Sequence, residues 1–172
     1  MVLTGERVVL RPLDEDDAGA LEAIFAEDAV APWWPGYDRA RIDNDLLGAD
    51  GDTKVYAIEV DGHAENGIAG VIQSWEESDP EYRHAGIDIA LATRWHGTGV
   101  AVDALRTLAR HLFEDDGHHR LTIDPAASNA RAIACYTKIG FRPVGVLRRY
   151  EVLGDGTFRD GLLMDLLAGE LR

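Results

Sequence analysis

Residues 94–99 carry the most distinctive local pattern of the chain, an R-x-x-G-x-G segment that runs from Arg94 to Gly99 between a predicted strand and a predicted helix. Gly97 and Gly99 leave space for the backbone to approach a ligand closely. The helix that starts after Gly99 offers unpaired N–H groups and a partial positive charge. With the fixed charge of Arg94, this arrangement is suited to binding a pyrophosphate. An ordinary glycine turn is the alternative interpretation, and it is favoured when Gly-x-Gly is considered alone.

Two better-known phosphate motifs do not fit this sequence. Val102 stands where a dinucleotide-binding G-x-G-x-x-G motif would have its third glycine, and the segment lies in the middle of the chain. No Gly-Lys-Ser/Thr occurs, so a Walker loop is excluded.

Asp88 is the second candidate, because it lies inside the predicted strand 86–92. Aspartate is depleted in strand interiors, since its side chain competes for backbone hydrogen bonds. The strand leads directly into residues 94–99, so the carboxylate should lie close to a ligand bound there. The alternative is an exposed or ion-paired acid.

A third candidate segment runs from Asp124, at the end of a predicted strand, to Phe141. Ser128 or Asn129 can cap the following helix, which carries Tyr136. Considered alone, Tyr136 is typical of a core tyrosine. Its neighbour Cys135 is typical of a small buried side chain, with nothing nearby to activate it as a nucleophile.

The elements that must position these residues are indicated by hydrophobic periodicity and turn signals. Strands are predicted at 7–13, 55–60, 68–73, 86–92, 120–124, 144–153 and 158–167. Helices are predicted after Asp14, over 38–47, from Gly99 to about Gly117, and from Asn129 to Gly140, with an aromatic turn at 32–37 and a loop at 48–52. The order is strands, then strand–helix–strand–helix, then a hairpin, which predicts an α+β fold with a mixed sheet.

Composition restricts the classes of function. The 172 residues are predicted to form one domain, 1–172, and the formal charge is −14, from 17 Lys and Arg against 31 Asp and Glu. An acidic surface repels phosphate backbones and anionic lipids, so neither a nucleic-acid partner nor a membrane partner is expected. It attracts cations, which favours a positively charged small-molecule substrate. The alternative is that the acidity only maintains solubility.

Cysteine and histidine usage argues against a metal centre. Cys135 is the single cysteine, which excludes an internal disulfide and any multi-cysteine metal site. The spacing of His111, His118 and His119 is not that of metal ligands, so surface histidines are expected. No apolar run approaches the ~20 residues of a membrane span, and no secretion signal is recognisable, so we expect a cytoplasmic protein.

Taken together, the motifs resemble a known family. R-x-x-G-x-G at 94–99, followed by S-N-x-R-A-x-x-x-Y-x-K-x-G-F at 128–141, resembles the acetyl-CoA site of the GNAT superfamily of N-acetyltransferases. Trp75 to Pro80, Gly86 to Asp88 and Asp124 to Phe141 are similar to aminoglycoside 6′-N-acetyltransferases, as is the Trp33-Trp34 pair. The chain departs from that pattern between Asp79 and Gly86, where it is longer, and over 38–52, for which no counterpart is evident.

The resemblance implies specific roles. Asp88 matches the proposed general base and Tyr136 the general acid. Acetyl-CoA contacts are implied at Ile89, Leu91, Arg94, Trp95, His96, Gly97, Thr98, Gly99, Val100, Asn129, Ala132 and Lys138. Acceptor contacts are implied at Trp33, Trp34, Trp75, Glu76, Glu77, Asp79 and Asp124. The tryptophans at 33 and 34 could equally close the core.

The implied fold is a mixed, mostly antiparallel sheet, splayed between strands 86–92 and 120–124, with acetyl-CoA in the gap and no metal. The implied activity is acetyl transfer to a primary amine, first of all the 6′-amino group of an aminoglycoside. A protein α-amino group is the alternative acceptor within the same class. A non-catalytic module that binds acyl-CoA or a cationic drug is the alternative from another class.

Overall fold

The computed structural model describes residues 1–63 and 67–172. Its strands are β1 (Leu3–Thr4), β2 (Val8–Pro12), β3 (Thr53–Val60), β4 (Gly70–Glu77), β5 (His84–Leu91), β6 (Arg120–Ile123), β7 (Arg142–Val152) and β8 (Phe158–Leu167). Its α-helices are α1 (Ala18–Phe25), α2 (Arg39–Arg41), α3 (Val100–Glu114) and α4 (Ala130–Ile139). Apart from the short β1, every strand was predicted from the sequence, and the predicted mixed sheet is confirmed.

The eight strands form one sheet in the order β1-β2-β3-β4-β5-β6-β8-β7. All neighbours are antiparallel except β5 and β6, which are parallel and pair only through Ala85 with Leu121 and Gly86 with Thr122. Beyond Gly86 the two strands separate, although β5 continues to Leu91. The predicted splay of the sheet is therefore present, and it exposes backbone and side chains of β5 in the gap.

Each face of the sheet buries its own apolar cluster. On one face, α3 and α4 pack on the sheet through residues such as Leu105, Leu108 and Ile139. On the other face, α1 contributes Leu21 and Phe25 to a second cluster. Burial on both faces of β5 fixes its register, because a slip by one residue would exchange its two faces.

The local sequence explains where the helices begin. Asp14 accepts a hydrogen bond from the backbone N–H of Asp16 (3.0 Å) and starts a short 3₁₀ turn that leads into α1. Asn129, rather than Ser128, caps α4, since its Oδ1 accepts from the N–H of Ala132 (3.2 Å). The predicted helix 38–47 is present as α2 followed by a π-helical stretch, Ile42–Leu47.

Candidate active site

A cavity of about 450 Å³ opens where β5 and β6 separate. Residues from β5, the 94–99 turn, α3, α4 and the β7–β8 hairpin line it. Most of the residues singled out in the sequence meet there: Trp33, Trp34, Asp88, Ile89, Leu91, Trp95, His96, Gly97, Gly99, Asp124, Asn129, Ala132, Tyr136 and Lys138. The separation of two parallel strands thus brings together segments that are far apart in the sequence.

The 94–99 turn has the geometry that an anion-binding turn requires. Gly97 and Gly99 have φ of +75° and +91°, a left-handed backbone that favours glycine. A Cβ added at Gly97 would meet no atom within 4 Å, so open space adjoins the backbone there. The 15-residue helix α3 then begins at Val100 without a side-chain cap. A helix start of this kind fits the pyrophosphate of a coenzyme A molecule.

Arg7 also contacts this turn, although sequence analysis did not assign it to the site. Its Nη1 donates to the carbonyl oxygen of Thr98 (2.7 Å), and its backbone N–H donates to Asp103 Oδ2 on α3 (2.8 Å). The buried Asp103 also accepts the N–H of Val8 (3.1 Å). The start of β2 is therefore tied to the first turns of α3, and no local sequence signal predicts this long-range contact.

Asp88 lies on β5 at the edge of the gap, and its environment is unusual for a carboxylate. Its Oδ1 accepts the backbone N–H of Ile89 (2.9 Å). Burial, together with the neighbouring carboxylates Asp124 and Glu151 and opposed by that hydrogen bond, raises the pKa of Asp88 to about 7. A carboxyl group with a pKa near neutrality can accept a proton from an amine and release it again.

Tyr136 lies on α4 and lines the same cavity. It is buried, and its ring packs edge-on against Phe141 at 6.3 Å between centroids. Burial, together with the negative charge of Asp88, raises its pKa well above 10. The phenol therefore stays protonated across the neutral range and can donate a hydrogen bond.

The β7–β8 hairpin supplies five cavity residues that sequence analysis did not single out, namely Tyr150, Glu151, Arg159, Asp160 and Gly161. The Tyr150 hydroxyl donates to Asp124 Oδ2. Arg159 forms an ion pair with Glu151, with Nε 2.8 Å from Oε2. The Gly154-Asp155-Gly156 turn predicts the hairpin, but the sequence does not reveal that β8 pairs with β6 and so brings these side chains to the gap.

The two tryptophans have different surroundings although both line the cavity. Trp34 packs against Phe25 and Tyr37, with ring centroids 5.1 and 4.9 Å apart. Trp33 lies 5.4 Å from the guanidinium carbon of Arg159. Trp34 is thus partly a packing residue, and Trp33 presents a face that already holds a cation.

Several residues named from the resemblance do not line the cavity. The ring of Trp75 covers Gly86, where an added Cβ would lie 2.1 Å from Trp75 Cε2. Glu76 is paired with Arg83 (2.6 Å), towards the start of β5. The other members of this set are Glu77, Asp79, Arg94, Thr98 and Val100. Of these, Val100 is fully buried and Thr98 presents its carbonyl oxygen to Arg7.

Residues 1–63 and 67–172 contain neither a candidate metal cluster nor a membrane-spanning helix. They contain no group of three or more His, Cys, Asp and Glu side chains that could hold a metal ion. In the same ranges no helix is long and apolar enough to cross a membrane.

Comparison with known proteins agrees with the geometry. A family model described as "Acetyltransferase (GNAT) domain" matches residues 7–142. The chain is 31% identical over 159 residues to aminoglycoside N(6′)-acetyltransferase type 1 of Klebsiella pneumoniae, covering 84% of this chain and 78% of that protein. It is 41% identical over 73 residues to a kanamycin resistance protein of Rhizobium radiobacter, covering 42% of this chain and 66% of that protein.

Among solved structures, a ribosomal L7/L12 alpha-N-protein acetyltransferase in complex with coenzyme A superposes with a TM-score of 0.80. The sequence identity is 21%, and the match covers 97% of this chain and 98% of that one. At this identity the likeness concerns the fold.

Proposed function

Because this chain belongs to the GNAT acetyltransferase family, we propose that it transfers the acetyl group of acetyl-CoA to the 6′-amino group of an aminoglycoside. Acetyl transfer is the activity of the family. What we add to this family activity is the acceptor, an aminoglycoside. The curated relatives and the charges that line the cavity support this choice.

The observation that carries the proposal is the distribution of charge around the gap. Four carboxylates line it from β5, the residue that follows β6, and the hairpin; these are Asp88, Asp124, Glu151 and Asp160, with Arg159 among them. The cationic Arg131 and Lys138 belong to α4 instead. An aminoglycoside carries several ammonium groups, and a carboxylate-lined cleft raises the local concentration of such a cation.

The other end of the same cavity suits the anionic coenzyme. The glycine turn and the uncapped start of α3 provide N–H groups for the pyrophosphate, and Asn129 and Ala132 stand at the start of α4 beside it. Bound there, acetyl-CoA would supply an activated acyl group. The thioester end would extend into the gap between β5 and α4, where Asp88 and Tyr136 lie.

Asp88 acts in this scheme as the general base. An amine must lose a proton before it attacks a carbonyl carbon, and a base with a pKa close to the working pH removes that proton most efficiently. The pKa of Asp88, about 7, meets this requirement, whereas an ordinary aspartate with a pKa of 3.8 would be a much weaker base.

Tyr136 acts on the leaving sulfur. A thiol has a pKa of roughly 8.5, so it is a stronger acid than the buried Tyr136 phenol. We therefore expect Tyr136 to donate a hydrogen bond to the sulfur as negative charge develops, while the thiolate takes up its proton from solvent after it has left. No covalent enzyme intermediate is required, and Cys135 has no catalytic role in this scheme.

The test is release of the free thiol of CoA from acetyl-CoA with four acceptors. These are aminoglycosides with a 6′-amino group, matched compounds with a 6′-hydroxyl group, a basic peptide with a free α-amino group, and buffer alone. Release confined to the 6′-amino compounds is expected. Release with the peptide alone would replace the proposed acceptor by a protein α-amino group. Binding of acetyl-CoA without release for any of these acceptors would leave the coenzyme assignment intact and overturn the proposed acceptor.

A further inference from the structure

Strand β7 contains an irregularity at the point where it borders the cavity. Its pairing with β8 passes from Leu147 opposite Gly161 to Glu151 opposite Arg159. Four steps along β7 therefore match two steps along β8, so two extra residues are accommodated as a bulge. Bulges often occur next to active sites, where they redirect a side chain.

The bulge contains a strained residue. Within residues 1–63 and 67–172, Arg149 is the one non-glycine residue with a positive φ, +52°. This left-handed conformation is sterically unfavourable for a residue that carries a Cβ. Strain of this kind persists only where surrounding contacts enforce it, and it is concentrated at functional sites.

Three contacts enforce the bulge. The backbone N–H of Arg149 donates to Asp160 Oδ1 (2.6 Å), and its guanidinium lies 4.0 Å from the centre of the Phe158 ring. Gly161 provides space for the ring of Tyr150, because a Cβ added at Gly161 would lie 2.8 Å from Tyr150 Cδ1. Tyr150 lies in this bulge, directly after the left-handed Arg149, and its ring packs over Gly161.

The same stretch of β8 is also fixed relative to the loop that follows Asp124. The N–H of Leu162 donates to the carbonyl of Pro125 (2.8 Å), and that of Ala127 donates to the carbonyl of Asp160 (2.8 Å). The distance between the bulge and Asp124 is therefore set by backbone hydrogen bonds on both sides. Across it, the Tyr150 hydroxyl donates to Asp124 Oδ2.

We propose that Tyr150 is a positioning residue: its hydroxyl holds the carboxylate of Asp124 in the orientation that binds an ammonium group of the acceptor. The bulge in β7 places the Tyr150 side chain where it can make this contact. This inference rests on the proposed function in taking a cationic amine as the acceptor. It adds the hairpin as the element that determines how well the amine binds.

The charged groups around Asp124 predict that the role of Tyr150 can also be seen in the pH dependence of amine binding. Asp124 is partly buried, and the nearby carboxylate of Glu151 disfavours its ionisation, while the Tyr150 hydroxyl stabilises the ionised form. Arg159 is ion-paired with Glu151, and Asp88 is a further carboxylate that lines the same cavity. Loss of the Tyr150 hydroxyl therefore raises the pKa of Asp124 further and weakens amine binding more as the pH falls.

The experiment compares Tyr150→Phe with the unmodified protein in steady-state kinetics. We expect KM for the amine to rise about tenfold, since a hydrogen bond to a charged group is lost. kcat and KM for acetyl-CoA should change less than about twofold. The rise in KM for the amine, relative to the unmodified protein, should grow as the pH is lowered, which a merely structural defect would not produce.

Gly161→Ala provides an independent variant, because its methyl group must displace the Tyr150 ring. Gly145→Ala is the matched control on the same hairpin, since a Cβ there meets no atom within 4 Å. Gly161→Ala should reproduce the KM effect of Tyr150→Phe, and Gly145→Ala should not. An amine KM in Tyr150→Phe equal to that of the unmodified protein, or an equal rise in KM for both substrates, would overturn the inference.

The acceptor panel separates this inference from the proposed function. If only the peptide amine is acetylated, the aminoglycoside proposal fails, and Tyr150→Phe is measured with the peptide, where the same rise is expected. If the unmodified protein neither acetylates nor binds any of these cations in calorimetry, both conclusions are overturned.

Discussion

The environment of Asp88 makes the replacement Asp88→Asn informative in three measurements. The amide keeps the size of the side chain and can still accept the N–H of Ile89 through its oxygen, but it cannot take a proton from the amine. A positioned general base contributes roughly 10²- to 10⁴-fold to a rate. We expect kcat to fall by that range at pH 8. KM for acetyl-CoA should stay nearly unchanged, because the glycine turn is not altered.

The pH dependence follows from the raised pKa. With a pKa of about 7, the ionised fraction of Asp88 falls by about tenfold between pH 8 and pH 6, whereas an aspartate with a pKa of 3.8 would stay ionised throughout. The acceptor amine has its own titration. Dividing kcat/KM of the unmodified protein by kcat/KM of Asp88→Asn cancels the titration of the amine, which is the same for both proteins. This ratio should fall about tenfold from pH 8 to pH 6.

Stability gives a readout that does not need activity. The folded protein holds Asp88 at a higher pKa than the unfolded chain does, so the folded state binds the extra proton and loses stability as the pH rises from about 4 to about 7. Asp88→Asn removes this loss. The variant and the unmodified protein should be similar in stability at pH 4, and the variant should be more stable at pH 8 by on the order of 2 to 4 kcal/mol.

Glu114→Gln, at the exposed end of α3, is the control for removal of one negative charge. It should leave both the rate and the pH dependence unchanged. The reasoning fails if Asp88→Asn retains at least half of kcat, or if its thermal midpoint at pH 8 is lower than that of the unmodified protein. The first result would show that Asp88 is not the general base, and the second that its charge does not destabilise the fold.

Two further substitutions test the remaining parts of the site. Tyr136→Phe removes the donor to the leaving sulfur, so kcat should fall by about 10²-fold or more with little change in either KM; an unchanged kcat from pH 6 to pH 9 would leave Tyr136 a packing residue. Gly97→Ala strains a turn with φ of +75° and puts a methyl group into the open space beside it, so KM for acetyl-CoA should rise about tenfold while KM for the amine stays constant. Gly156→Ala is the control, because Gly156 in the β7–β8 turn has a similar φ of +80° but lies away from the cavity. An equal rise in KM for acetyl-CoA in Gly156→Ala would refute the assignment of Gly97 to the coenzyme.

The sequence by itself determined the central part of the site, because the signals there are local. The R-x-x-G-x-G turn at 94–99, the aspartate inside β5 and the Asn129-capped helix that carries Tyr136 are each visible within about 20 residues of chain. The hydrophobic periodicity of the sequence predicted the strands and helices that flank these site segments. The resemblance to acetyltransferases then indicated that β5 and β6 separate, which the pairing of only Ala85 and Gly86 with β6 confirms.

The tertiary structure alone decided which charged side chains line the cavity. Glu76 resembles an acceptor residue in sequence, yet an ion pair with Arg83 holds it towards the start of β5. Tyr150 and Asp160 reach the cavity because β8, not β7, pairs with β6 and because two extra residues in β7 form a bulge. Strand order and bulges depend on long-range hydrogen bonds and packing, for which a sequence carries no local periodicity. The catalytic candidates were therefore visible in the sequence, whereas the hairpin side of the cavity became visible only in the folded sheet.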